Sequence, residues 1–118
     1  MKMRRRGTIA LLLFVVIAVG CSKAMSPAIT DFGPQKTKAG QVFNAQPDGK
    51  SALWVRAENF TDTTVVMWDD KKLLTYKQPY GGSATVPREL YSKPGQYRIS
   101  LLDTKTGVKS NDGIFTVE

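Results

Sequence analysis

The sequence predicts an all-β chain folded as one antiparallel sandwich, and three observations carry that expectation. Turn residues punctuate the chain every eight to twelve positions from Gly33 onward. The runs between them are rich in Val, Ile, Thr, Tyr, Trp and Phe. Several of these runs alternate strictly: Tyr97, Ile99 and Leu101 interleave with Gln96, Arg98 and Ser100, and Phe115 and Val117 with Thr116 and Glu118. A period of two marks a half-buried strand, whereas a helix repeats its apolar residues about every 3.6 positions. Beyond the N-terminal segment no stretch has the helical period. Many short strands with regular turns make a sandwich of about 100 residues.

The first element stands apart from the domain. Met1 to Arg6 carries four cations and no acid, Ile9 to Val19 is apolar, and Gly20-Cys21 follows. A charged start, a short apolar run and small residues at a cut point form a secretory signal. As a helix the apolar run would reach about 17 Å, roughly half of a 30 Å hydrocarbon core, which is too short to span it. The residues Ile17-Ala18-Val19-Gly20-Cys21 resemble the lipobox of bacterial lipoproteins, with Ala18 where Leu is usual. That resemblance implies a signal peptide over 1–20, a diacylglyceryl group on the Cys21 thiol and a membrane-attached tether over 21–26. Two or three acyl chains hold far more firmly than one. The implied address is the cell envelope, and the outer membrane in a Gram-negative organism, because Ser22 instead of Asp follows the cysteine.

Removal of 20 of the 118 residues leaves 98, enough for one small domain. It also changes the charge. Four of the 17 basic residues leave with the signal while all 10 acids remain, so the net charge falls from +7 to +3. No second cysteine exists to pair with Cys21, so the domain is stable without a disulfide.

The domain is expected over 27–118, opening at Pro27. The first strand, 28–32, ends at Gly33-Pro34, and the second, 41–45, lies between Gly40 and the turn Pro47-Asp48-Gly49. In 51–57, Leu53, Val55 and Ala57 alternate with Trp54 and Arg56; 63–68 runs to Asp69-Asp70. The next pair, 72–77 and 83–86, flanks the loop Gln78-Pro79-Tyr80-Gly81-Gly82, and Pro87, which lacks an N–H for a ladder, stops the second of them. The strands 95–103 and 113–118 are joined through a turn beginning Asp103-Thr104-Lys105-Thr106-Gly107.

Taken in order, these pieces resemble the IPT/TIG domains. The opening Pro27-Ala28-Ile29-Thr30-Asp31-Phe32-Gly33-Pro34 with the later Ala39-Gly40 is similar to that family's start. The run Leu53 to Phe60 is similar to its strand ending in Gly-x-Asn-Phe, with Ala57 in place of the glycine. Val66-Met67-Trp68, Ala84-Thr85-Val86-Pro87, Pro94-Gly95-Gln96-Tyr97-Arg98-Ile99 and Ser110 to Val117 match its later segments. The resemblance covers nearly all of 27–118 and implies an immunoglobulin-like sandwich. It does not select a function, because every matching position is a core or turn residue, and one fold hosts many functions.

The residues that carry chemistry are sparse. The chain has no histidine, so it lacks the usual general base and the commonest metal ligand. Its one thiol is expected to be acylated, no serine sits in a Gly-x-Ser-x-Gly elbow, and no glycine-rich phosphate loop is present. Glu58 and Asp62 fall at one end of the 63–68 strand and Asp69-Asp70 at the other, about 20 Å apart, so they form no common metal site. A net charge of +3 and an envelope address argue against nucleic acid as the partner. The expectation is therefore no catalytic residue, no metal and no cofactor.

What remains is apolar residues on the outward side of strands. Val65 and Met67 lie between inward Val66 and Trp68, and Ile114 precedes inward Phe115. In an immunoglobulin-like arrangement their strands share a sheet, so Val65, Met67 and Ile114 are candidate contacts for a protein partner. Trp54 and Tyr80 are two further candidates, as anchors or as stacking surfaces for a glycan. The expected function is a lipid-anchored, non-catalytic binding or interaction module of the cell envelope, with a protein partner. The alternatives are an accessory structural subunit of an envelope complex and a carbohydrate-binding module.

Overall fold

The structure, a computed structural model, describes residues 26–118. The expected signal peptide 1–20, Cys21 and the tether up to Met25 lie outside the described residues. Nine strands follow: β1 Ala28–Gly33, β2 Lys36–Thr37, β3 Ser51–Glu58, β4 Thr64–Trp68, β5 Lys71–Lys72, β6 Leu74–Gln78, β7 Gly81–Val86, β8 Gly95–Asp103 and β9 Gly113–Val117. A single 3₁₀ turn spans Arg88–Tyr91. They form two sheets, a four-stranded one in the order β1-β3-β7-β6 and a five-stranded one in the order β2-β9-β8-β4-β5. All pairings are antiparallel except β2 with β9. The fold is an all-β sandwich, and this strand order is consistent with an immunoglobulin-like domain.

The alternation read from the sequence sets the core. Leu53 and Val55 of β3, Val66 and Trp68 of β4, Ile99 and Leu101 of β8, and Phe115 and Val117 of β9 are all buried between the sheets. Phe115 is the hub of the aromatic packing, its ring centroid 5.0 Å from both Phe43 and Trp68. Offset and tilted ring pairs at this spacing add to the area they bury. Tyr91, carried by the 3₁₀ turn, closes one end. The buried hydroxyl of Ser51 donates to Tyr91 Oη at 2.8 Å and accepts the Phe43 N–H at 3.0 Å.

Two of the expected elements need correction, and one strand is added. The 41–45 strand does not form: the segment is irregular, with Asn44 at φ 45°, and Phe43 enters the core with its N–H satisfied by a side chain instead of a ladder. The 72–77 strand is two strands in different sheets. Lys71–Lys72 pairs with β4, buried Leu73 turns inward and donates its N–H to Val66 O at 2.9 Å, and β6 then pairs with β7. The short β2 was not expected; it runs parallel to β9 just after the cis Gly33–Pro34 bond, where the chain passes from one sheet to the other.

Several polar and aromatic side chains act as fasteners. Asn111 receives the Ile29 N–H on Oδ1 at 2.8 Å and donates Nδ2 to the Ile29 carbonyl at 3.1 Å, so it takes the place of a strand partner where the β1 register shifts. Ser110 Oγ accepts the Leu101 N–H at 2.7 Å. Phe60 lies against Gly82, where a Cβ would strike its ring. At the C-terminal end of β8, the Thr63 hydroxyl and then the Lys105 N–H donate to Asp103, and together they hold its carboxyl below the usual aspartate range.

Candidate ligand-binding cleft

The outer face of the four-stranded sheet holds the site. On β3 the residues between the core positions point outward, which places Ala52, Trp54 and Arg56 in a row. The ladders bring Gly33, Ser83 and then Tyr76 level with Trp54, and Asp31, Gly81 and Gln78 level with Arg56. Gly33 determines where the indole lies. A Cβ there would sit 2.5 Å from Trp54 Cζ2, so the bare backbone of β1 is what lets the ring lie down on it. The Tyr80 turn is fixed to β3 through the Ala57 N–H, which donates to Tyr80 O at 3.1 Å.

These residues enclose a cleft of about 400 Å³ whose walls include Trp54, Tyr80, Arg56, Gln78, Asn44 and Gln46. Trp54 is half-buried and Tyr80 is 41% exposed. The Arg56 guanidinium carbon lies 6.0 Å from the Trp54 ring centroid, within cation–π range. A second cleft of about 310 Å³ adjoins the first, sharing Gln46, Ala52 and Ser83, and continues past Tyr76 to Leu74. Tyr76 and Leu74 are 53% and 62% exposed. The 42–50 segment forms one wall and is positioned by Asn44 Nδ2, which donates to the Ala52 carbonyl at 3.2 Å.

Trp54 and Tyr80, singled out separately in the sequence, therefore line one cleft. Tyr76 and Leu74 were not singled out. Their alternation with Thr75 and Lys77 was visible, but their outward direction depends on the change of sheet at Leu73. The other three candidates share the outer face of the five-stranded sheet, with unequal exposure. Met67 is only 5% exposed, Val65 is half-buried and Ile114 is 47% exposed. Arg98 and Ser100 of β8 stand between Ile114 and Met67 in the ladder.

The clefts offer recognition chemistry of a particular kind. Amide, hydroxyl and guanidinium groups surround aromatic surface, and the first cleft contains no carboxylate. Among the described residues no three His, Cys, Asp or Glu side chains converge, and Asp62 and Asp69-Asp70 flank β4 at its two ends. Asp62 is engaged instead by Lys77 at 3.6 Å, an exposed pair of small energetic weight. No protein-family model matches the chain, and no curated protein matches it either.

Proposed function

We propose that this chain is a lipid-anchored, non-catalytic binding module of the bacterial cell envelope, built on an IPT/TIG-type domain, and that it holds a saccharide in the Trp54–Tyr80 cleft. One observation carries the reading: a half-buried indole and an exposed phenol share a cleft with Asn44, Gln46, Gln78 and Arg56. A sugar ring has an apolar C–H face and a rim of hydroxyls. Aromatic surface suits the first, and side-chain amides, which both donate and accept, suit the second. The anchor rests on the lipobox-like Val19-Gly20-Cys21, and the non-catalytic reading on a chain without histidine.

The binding test uses the whole chain in zwitterionic detergent micelles, titrated calorimetrically with a panel of neutral and acidic oligosaccharides. At least one class should bind saturably, with affinity reduced about tenfold or more in Trp54→Ala, the usual scale for an aromatic anchor. Gly33→Ala should weaken the same binding, because its methyl group displaces the indole from β1. Absence of saturable binding, or unchanged binding in a folded Trp54→Ala, overturns the saccharide reading. The anchor is checked separately: cells fed labelled palmitate should label the wild-type chain and leave Cys21→Ser unlabelled. A wild-type chain that takes up no label would refute it.

A further inference from the structure

Resting on the saccharide reading, we infer that the ligand is acidic, a linear oligosaccharide of uronate-type sugars whose carboxylates meet Arg56 in the first cleft and Lys50 in the second. The charges in and beside the two clefts are arranged for this. Arg56 is the sole charged side chain lining the first cleft and Lys50 the sole cation lining the second. Neither makes an ion pair among the described residues, where the pairs formed are Lys36–Glu118 and Lys77–Asp62.

The acids near the two cations, Asp31, Asp48 and Glu89, which lines two further clefts with Lys50, form no ion pair with either of them among the described residues. Asp31 faces Arg56 across the β1–β3 ladder, yet its Oδ1 accepts the Phe32 N–H at 2.9 Å. Asp48 lines the second cleft, and its Oδ1 accepts the Lys50 N–H at 2.9 Å. Glu58, two residues beyond Arg56 on β3, is outside the lining of both clefts. Each of the Asp31 and Asp48 carboxylates keeps its charge but is held to a backbone N–H through one oxygen, and neither forms an ion pair with Arg56 or Lys50. An unpaired cation beside an aromatic platform favours a ligand that brings its own negative charge.

Geometry adds the shape of the ligand. Arg56 and Lys50 are six residues apart along the β3 direction, about 20 Å at strand rise. The joined clefts fill the interval, so the ligand is a chain of rings and not a single sugar. On a uronate the carboxylate projects from the ring edge. The guanidinium lies over the indole, 6.0 Å from its centre, so a uronate ring packed against Trp54 beside it has a rotation that brings this group to Arg56. The planar guanidinium fork matches a carboxylate bidentately, which a lysine ammonium does not.

The test compares an oligogalacturonate with the same oligosaccharide after its carboxylates are reduced to primary alcohols, titrated against the whole chain in zwitterionic micelles at low salt. The acidic form is expected to bind about tenfold or more tighter, the scale of a charged hydrogen bond. That preference should shrink as salt is raised. Arg56→Gln should bring the two affinities together, while Arg56→Lys keeps part of the difference. Equal binding of both forms by the wild type, still dependent on Trp54, would overturn the acidic specificity and leave the saccharide reading intact. Binding of neither form, nor of any other oligosaccharide in the panel, would remove the saccharide reading itself.

Discussion

Phe115→Ala should lower the stability of the domain by about 3–5 kcal/mol, the usual cost of emptying an aromatic site in a packed core. Phe115 is fully buried, and it joins Phe43 from the irregular 42–50 segment to Trp68 from β4, each ring 5.0 Å away. Removing it takes away buried area and leaves its two neighbours facing a void that a β-sandwich closes poorly, because strand ladders fix the backbone around it. For a domain near 90 residues each kcal/mol moves the melting midpoint by about 4–8 °C, so the expected fall is roughly 12–40 °C. Thermal unfolding of the whole chain followed by near-ultraviolet circular dichroism reads this directly. Phe115→Leu, which keeps most of the volume, should lose less than half as much. A melting point unchanged in Phe115→Ala would mean that the hub of the core lies elsewhere.

Ser51→Ala is a smaller change in atoms with an effect of comparable order. The Ser51 hydroxyl, fully buried, accepts the Phe43 N–H and donates to Tyr91 Oη. Its loss strips two buried polar groups of a partner at once. At about 1–3 kcal/mol for each unsatisfied group, the expected destabilisation is roughly 2–6 kcal/mol. Tyr91→Phe removes only one of the two contacts and should cost about half as much. A double-mutant cycle between the two positions should then give a coupling energy of about 1 kcal/mol. The same substitution should loosen the wall that carries Asn44 and Gln46, so hydrogen exchange across 42–50 should accelerate. Stability equal to wild type in Ser51→Ala would show that these groups are satisfied in another way.

Sequence alone made the sandwich legible where a strand has one wet face and one dry face. In 96–101 and 115–117 apolar and polar residues alternate strictly, and these segments lie in β8 and β9 with the expected residues inward, whereas Leu102, Asp103 and Ile114 depart from the alternation. It was misleading at 41–45, because Phe43 is buried through its side chain while its backbone joins no ladder. It missed the division of 72–77, because a change of sheet at one inward leucine leaves no mark on composition. The short β2 had two polar residues and no pattern to read.

The same physics separates the site candidates. Alternation tells which way a side chain points, but exposure depends on what stands beside it in the sheet. Met67 points outward from a strand with neighbours on both sides, Ser100 on β8 and Lys72 on β5, and it is 5% exposed. Ile114 pairs only with β8 at its level, since β2 meets β9 further on, and Leu74 and Tyr76 lie on the edge strand β6. These three are open. A strand's position in the sheet, which is long-range information, decided what the local pattern left undetermined.

The passage of the N-terminal strand between sheets has a mechanical consequence. β1 is bonded to the four-stranded sheet over Ala28–Gly33, and β2 then runs parallel to the C-terminal strand, with Lys36 opposite Thr116 and Thr37 opposite Val117. Tension applied between the two ends of the domain would draw β2 and β9 in opposite directions along their own axes. Bonds lying across such a pull are sheared together, whereas a hairpin pulled open from its free end loses them one after another. Asn111, gripping both the N–H and the carbonyl of Ile29, adds a cross-tie near the point where such a force would enter. A domain held at its N-terminus and pulled through its far end would resist unravelling along the direction in which it is held.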